Sequence, residues 1–335
     1  MLSTLNDFKQ YFNLTEEEIE EAKKVIDTFP VRCTEYYASL ANRNNLNDPI
    51  KKTVFPTEEE LKNTLSDDPF KEEGQSPIPG LTHKYPDRVL IVTTNYCPVL
   101  CRFCMRKRNW KKEPFVITKE QIDEMAKYIK VTRVRDVLIS GGEPLTIPDE
   151  ILEYLILKLK EIETVEIVRI GSRLPVVAPN LLTNKKIKIL EKGEKVWLNT
   201  HFNHPAEVTK GSEEAVKKLL KAGIPVNNQA VLLKGINDNE ETLYKLFSTL
   251  QRIKVRPYYL FRCDPVNSVF HFATSVEKGL EIMRNLKKRL SPLALPYYAV
   301  DTYKGKIILF PEGAKYSKTG KGYLFKIANT KVSLP

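Results

Sequence analysis

No stretch of the 335 residues carries the roughly 20 consecutive apolar side chains that a membrane-spanning helix needs, and the opening MLSTLNDFKQ has no apolar run of the signal-peptide kind. A cytoplasmic protein without a membrane partner is therefore expected. Cysteine is scarce. Of five residues, Cys97, Cys101 and Cys104 fall within eight positions, while Cys33 and Cys263 stand alone. That placement excludes a disulfide scaffold and points to thiolates gathered round a metal in a reducing compartment. Repeats and low-complexity segments are also missing, and 42% hydrophobic residues suffice for a sizeable core, so disorder is not expected.

Charge is plentiful. The formal net charge of +11, with a pI near 9.2, would suit a nucleic-acid binder if the cations were clustered. They are interleaved with glutamates instead, as in Glu213-Glu214-Ala215-Val216-Lys217-Lys218, which is the pattern of a solvated helix face with i,i+4 pairs. A nucleic-acid partner is accordingly disfavoured.

The first 80 residues read as helices and connectors, with capping boxes at Thr15/Glu18 and Thr57/Glu60. Asp67 to Gly80, rich in proline and glycine, reads as a linker. From Arg88 onward β-branched runs alternate with amphipathic stretches. Strands are predicted at 89–93, 136–140, 166–170, 196–200, 225–233 and 256–261, with helices such as 118–129, 149–162, 212–222 and 239–250 between them. Alternation of this kind demands a parallel sheet, because parallel neighbours need crossover connections. The expected architecture is an α/β fold, a partial (β/α)6 barrel over residues 81–290. A helical segment with its linker (1–80) precedes it and a short extension (291–335) follows.

The stretch T-T-N-Y-C-P-V-L-C-R-F-C-M-R-K-R directly follows the first predicted barrel strand, which puts the cysteines at the strand end where such sheets carry their sites. Three thiolates can hold three irons of a cubane and leave the fourth iron open. A zinc site of the trio plus one histidine is the plain alternative, but zinc motifs usually add a second pair downstream and none follows. The spacing C-x3-C-x-aromatic-C, carried by Cys97, Cys101, Phe103 and Cys104, resembles the radical S-adenosylmethionine (SAM) superfamily. The resemblance implies a [4Fe–4S] cluster on the three cysteines, with SAM on the open iron and cleaved to a 5′-deoxyadenosyl radical. Phe103 is then expected near the adenine. The second predicted strand ends in Ser140-Gly141-Gly142-Glu143-Pro144, similar to the G-G-E motif that holds the methionine amino group of SAM. Glycines there allow close backbone approach, and a carboxylate suits an ammonium.

Ordered blocks narrow the resemblance to the lysine 2,3-aminomutase family: T-H-K-Y-P-D-R (82–88), R-D-V-L-I-S-G-G-E (135–143), V-E-I-V-R-I-G-S-R (165–173), W-L-N-T-H-F-N-H-P (197–205), N-Q-A-V-L-L-K-G-I-N-D (228–238) and V-R-P-Y-Y (255–259). The family uses pyridoxal phosphate (PLP) and SAM to move the α-amino group of L-lysine to the β carbon. Carried over by position, Arg106 matches the residue that binds the substrate carboxylate, while Asp264 and Asp301 match the pair that holds the distal ammonium. Tyr85 and Arg88 match residues beside PLP, with Lys84 as a phosphate contact, and His201, Gln229 and Ser140 occupy positions around SAM. Lys306 aligns with the PLP-bearing lysine on the anchors Asp301 and Pro311. The glycine run that normally precedes that lysine is replaced by T-Y-K-G-K, and Lys304 and Lys315 compete with it. Phe261 stands where many members have tyrosine, and the chain shows no terminal cysteines of the kind that bind zinc in clostridial-type members.

The resemblance thus implies an isomerase with a small amino-acid substrate, a reducing electron donor such as flavodoxin or ferredoxin, and a capacity for homo-oligomers. A relative acting on another amino acid or without PLP is the nearest alternative. An iron–sulfur redox or nucleic-acid-binding protein is the alternative of a different class.

Overall fold

The computed structural model describes residues 1–45, 47–62, 65–310, 316–320, 322–327 and 330–334. Pro311 and Lys315 lie outside the described residues. The chain opens with four short helices, α1 (Leu5–Lys9), α2 (Glu16–Ile26), α3 (Glu35–Ala38) and α4 (Pro49–Val54). The capping box at Thr15 forms as expected, with the Glu18 amide donating to the Thr15 hydroxyl at 3.1 Å and the Thr15 amide donating to Glu18 Oε2 at 3.0 Å.

Nine strands then lie side by side in sequence order: β1 (Leu81–Tyr85), β2 (Arg88–Val92), β3 (Asp136–Ser140), β4 (Ile167–Gly171), β5 (Val196–Thr200), β6 (Val226–Leu232), β7 (Arg256–Arg262), β8 (Tyr297–Thr302) and β9 (Gly305–Leu309). From β2 to β8 every neighbouring pair is parallel, whereas β1 and β9 flank the sheet antiparallel. The crossovers are α5 (Lys119–Thr132) after β2, α6 (Asp149–Lys160) after β3, α7 (Leu174–Val177) and α8 (Asn184–Lys192) after β4, α9 (Lys210–Lys221) after β5, α10 (Glu240–Arg252) after β6 and α11 (Val276–Arg289) after β7. These are the six β/α units of the partial barrel. A small antiparallel sheet, β10 (Tyr316–Thr319), β11 (Gly322–Ile327) and β12 (Thr330–Leu334), closes the chain. β8 and β9, from the stretch expected as a C-terminal extension, belong to the barrel sheet.

Residues alternate across each barrel strand, and the alternation separates the core from the lumen. Val89 and Ile91 on β2, Val137 and Ile139 on β3, and Val168 and Ile170 on β4 are buried in one cluster with Ile122 and Met125 of α5 and Leu152 and Ile156 of α6. The intervening residues are mixed, with Arg88, Asp136, Ser140 and Arg169 among Leu90, Val92, Leu138 and Ile167, where a filled barrel would carry aliphatics throughout. Arg169 donates from Nε to Asp136 Oδ1 at 2.8 Å, and Asn227 Nδ2 donates to Asn199 Oδ1 at 3.3 Å. Such a lining suits a ligand chamber.

The free edges of the sheet meet through side chains. The Lys306 amide of β9 donates to Tyr85 Oη of β1 at 2.9 Å, and Lys84 Nζ donates to the Thr302 carbonyl. Gly305 has φ +136°, a conformation that glycine adopts freely, and a Cβ there would stand 3.4 Å from the Tyr85 ring.

The N-terminal helices pack on the cysteine loop. Arg102, fully buried, donates from Nε to Glu60 Oε1 at 2.9 Å and from Nη2 to Oε2 at 2.5 Å, and its Nη1 reaches the Pro30 carbonyl at 2.8 Å. Lys107 Nζ meets the same Glu60 carboxylate at 2.7 Å. Burial alone would raise the Glu60 pKa, but Arg102 and Lys107 hold it below its usual range. Glu60 also accepts the Thr57 amide at 3.3 Å, so the local capping signal is real, but most of its bonding is long-range. Removing one partner from a buried ion cluster leaves charge uncompensated, so Glu60→Ala is expected to lower stability by about 3–5 kcal/mol. Anaerobic urea denaturation should show this, and a loss below about 1 kcal/mol would contradict it.

Candidate active site

At the C-terminal ends of β2 and β3, two backbone turns lock together. The Gly142 amide donates to the Thr94 carbonyl at 2.5 Å and the Glu143 amide to the Tyr96 carbonyl at 2.7 Å, so the G-G-E turn grips the residues just before Cys97. A Cβ on Gly141 would lie 2.6 Å from the Thr94 oxygen, and one on Gly142 2.3 Å from the Tyr96 oxygen. No larger residue fits without moving the cysteine loop. Glu143 is buried, which raises its pKa to about 7; the Ser172 hydroxyl and the amides of Arg173 and Leu145 pull the other way. Those amides donate to its oxygens at 2.7 and 3.2 Å.

Burial also pushes the thiols of Cys97, Cys101 and Cys104 upward; Cys104 and Cys101 raise Cys97 further and Cys101 raises Cys104, whereas the Arg173 guanidinium pulls Cys101 down. Cys101 Sγ accepts a 2.7 Å bond from Arg173 Nη1, and Cys104 Sγ accepts from the Arg106 amide at 3.4 Å. Phe103 lies edge-on to His201 at 5.5 Å between centroids, with the Arg173 guanidinium 5.4 Å from the Phe103 ring. Burial drives the His201 pKa down to about 3, keeping the ring neutral, and its Nε2 is buried without a partner. Thr200 Oγ1 and Asn203 Nδ2 are likewise unpartnered. Gln229 lies half-buried on neighbouring β6.

A second group gathers at the β1/β9 seam. Lys306 Nζ lies 3.1 Å from Asp301 Oδ1 and 3.2 Å from Oδ2, and 3.8 Å from the centre of the Phe261 ring. Burial lowers the Lys306 pKa, while Asp301 and Asp264 oppose the fall. Burial and the Asp301 charge push Asp264 well above the ordinary carboxylate range. The Arg88 guanidinium stacks 3.9 Å over the Tyr85 ring. Lys84 stands in the same group, its pKa lowered by burial and raised again by Asp301. Arg106 links the two regions: its Nη1 donates to Ser140 Oγ at 3.3 Å, and it senses both Cys104 and Asp264.

The Radical SAM superfamily model matches residues 91–247. A putative L-lysine 2,3-aminomutase of Aquifex aeolicus is 51% identical over 96% of this chain and 88% of its own. The L-lysine 2,3-aminomutase of Clostridium subterminale is 45% identical, over 91% of this chain and 74% of that protein. The chain belongs to the lysine 2,3-aminomutase family. A glutamate 2,3-aminomutase of Clostridioides difficile is also similar, at 41% identity over 93% of this chain and 75% of that one. Among solved structures, Streptococcus suis SuiB bound to S-adenosylmethionine shares the fold with a TM-score of 0.50, at 15% identity over 65% of this chain and 51% of that chain.

Members of the family are isomerases that use a [4Fe–4S] cluster, SAM and PLP, and the residues present fit all three. Among the described residues no three Cys, His, Asp or Glu side chains converge as the ligands of a single ion do. A cubane in which each thiolate takes its own iron asks for three thiols on one loop, and three half-buried thiols stand on one here. The orphaned polar atoms of His201, Thr200 and Asn203 on the strand-end loop beside Phe103 suit a polar cofactor. The low-pKa amine of Lys306 beside Tyr85, Arg88 and Lys84 suits an aldehyde-bearing phosphate.

Two residues here carried no role in the sequence reading. Arg173, inside the quoted G-S-R block, is buried and bonds Cys101, Tyr37 Oη at 3.0 Å and Glu207 Oε1 at 2.6 Å. Glu72, in the linker, pairs with Arg106. A buried arginine is not visible from spacing, and a linker glutamate looks like any solvated charge.

Gly142→Ala is expected to displace the cysteine loop and to cut reconstituted iron and acid-labile sulfide to less than half the wild-type content. Gly74→Ala, where nothing lies within 4 Å of the added carbon, should leave both unchanged. Full cluster content in Gly142→Ala would contradict the role given to the interlocked turns.

Proposed function

We propose that this protein interconverts L-lysine and β-lysine. The observation that carries the reading is the pair Asp264 and Asp301 gathered round a lysine ammonium, that of Lys306, in a chamber that also holds the Arg106 guanidinium. Asp301 makes to Lys306 the contact that the distal ammonium of a lysine substrate requires. Arg106 meets the carboxylate at the other end, because a guanidinium fork matches carboxylate geometry. A glutamate side chain would face the Asp301 carboxylate, a repulsion of the order of 4 kcal/mol at about 4 Å and an effective dielectric near 20, while Asp264, its carboxyl pushed up by burial and by Asp301, would offer it no cation. Both lysine and glutamate appear in the names of similar proteins, so this local charge, more than overall identity, supports lysine.

When bound, the cluster with SAM supplies hydrogen abstraction from carbon, and PLP carries the substrate nitrogen. The chain's own residues do the rest. Cys97, Cys101 and Cys104 hold the cluster, with Phe103, Ser140, Gly141, Gly142, Glu143, His201 and Gln229 around SAM. Lys306 offers its amine to PLP, aided by Lys84, Tyr85 and Arg88. The lowered Lys306 pKa keeps more of that amine unprotonated. A low-potential donor such as flavodoxin or ferredoxin supplies the electron, and the protein works in the cytoplasm. Among the described residues, no helix is long and apolar enough to cross a membrane.

Losing one carboxylate should remove about 2–4 kcal/mol of transition-state binding, lowering kcat/KM for lysine roughly 30- to 1000-fold in Asp264→Ala and Asp301→Ala. SAM cleavage without lysine should barely change. The assay incubates reduced enzyme, SAM and PLP with a panel of amino acids and follows β-amino acids by mass spectrometry. Preferred turnover of glutamate or a neutral amino acid would overturn the lysine reading. Separately, borohydride treatment of PLP-loaded protein should label Lys306 on peptide mapping; a label on Lys304 or Lys315 would move the role there.

A further inference from the structure

The segment between the N-terminal helices and β1 is held from several sides. The Asn267 amide donates to the Ser66 carbonyl at 3.0 Å and its Nδ2 to Asp67 Oδ1 at 2.9 Å. Arg108 Nη1 donates to the Asp67 carbonyl at 3.3 Å, and its Nη2 lies 3.6 Å from Asp68 Oδ1. Ser76 Oγ donates to the Glu72 carbonyl at 2.8 Å. This strap presents Glu72 to Arg106, both with largely buried side chains, 17% and 13% exposed. Arg106 Nε donates to Glu72 Oε2 at 3.2 Å and Nη2 to Oε1 at 2.7 Å, while Arg108 Nη2 meets Oε2 at 2.6 Å.

A guanidinium can grip a carboxylate along its side, through Nε and Nη2, or across its end, through Nη1 and Nη2. Glu72 takes the side of Arg106. The end, where among the described residues Nη1 hydrogen-bonds only Ser140 Oγ, is left for a second carboxylate. We propose that Glu72 is the positioning residue of the substrate-carboxylate site, locking Arg106 by its side so that its end faces the amino acid. The inference rests on Arg106 being the residue that binds the substrate carboxylate. Burial tends to raise the Glu72 pKa, but Arg106 and Arg108 hold it at about 2, so the lock is charged throughout the working range. A long side chain held in one rotamer loses less freedom on binding, which is the gain such a lock confers.

The test measures equilibrium binding by calorimetry, using anaerobic, unreduced holoenzyme with cluster, SAM and PLP, so that no turnover occurs. L-lysine is compared with L-lysinamide, which lacks the carboxylate. Arg106→Ala should weaken L-lysine at least tenfold and L-lysinamide less than threefold. Glu72→Ala should reproduce that selective loss, and the isosteric Glu72→Gln, which keeps one acceptor, should show a smaller one. If Arg106→Ala is selective and neither Glu72 variant is, the positioning role falls and the Arg106 reading stands. If Arg106→Ala does not discriminate, both fall. Equal losses of both ligands in the Glu72 variants would mark a structural role only. Tighter L-lysine binding would show that Glu72 competes for the substrate's edge; either result overturns the proposal.

Discussion

Burying charge at the mouth of a half-open barrel is the constraint on which the rest of this structure depends. Ions taken out of water are costly unless they are paired and hydrogen-bonded. The chain therefore assembles its site from matched sets. Glu60 pairs with Arg102 and Lys107 at the cysteine loop, Glu207 holds Arg173 against Cys101, Glu72 holds Arg106, and Asp301 holds Lys306. All but the last, which spans the β8/β9 hairpin, join elements distant in sequence, so these charges also fasten the N-terminal segment and the linker to the barrel.

The same logic accounts for the paired polar groups in the lumen. A fully closed barrel fills its interior with branched aliphatic layers. Here the sheet edges β1 and β9 meet through Tyr85, Lys84 and the Gly305 turn, and the interior carries Asp136 with Arg169 and Asn199 with Asn227. Incomplete closure leaves the two edge strands facing one another across a seam. It also places Lys306 on the last strand, against the first, where residues from both chain ends of the barrel can share one ligand.

The positions legible in sequence were those whose meaning is local. Cys97, Cys101 and Cys104 announce themselves by spacing, and Gly141 and Gly142 by lying at a strand end where only glycine lets the backbone touch its neighbour. The β/α alternation exposed six crossover units because period-2 and period-3.6 patterns are properties of short windows. β1 and β9 were less legible: LTHKY and GKIIL do not carry the apolar alternation that marks the inner strands. Glu72 and Arg173 were invisible for a different reason, since nothing within several residues of either distinguishes it from a solvated charge.

By itself, then, the sequence determined the cluster loop, the glycine turn behind it, the parallel barrel and the family to which the chain belongs, because each is encoded by residue type at short range. Only the tertiary structure decided which charges face one another. Asp264 and Asp301 are separated by 36 intervening positions, yet both act on Lys306, and Glu60 turns from a helix cap into the counter-ion of the cysteine loop. Such partnerships depend on distance and burial, and both exist only once the chain is folded.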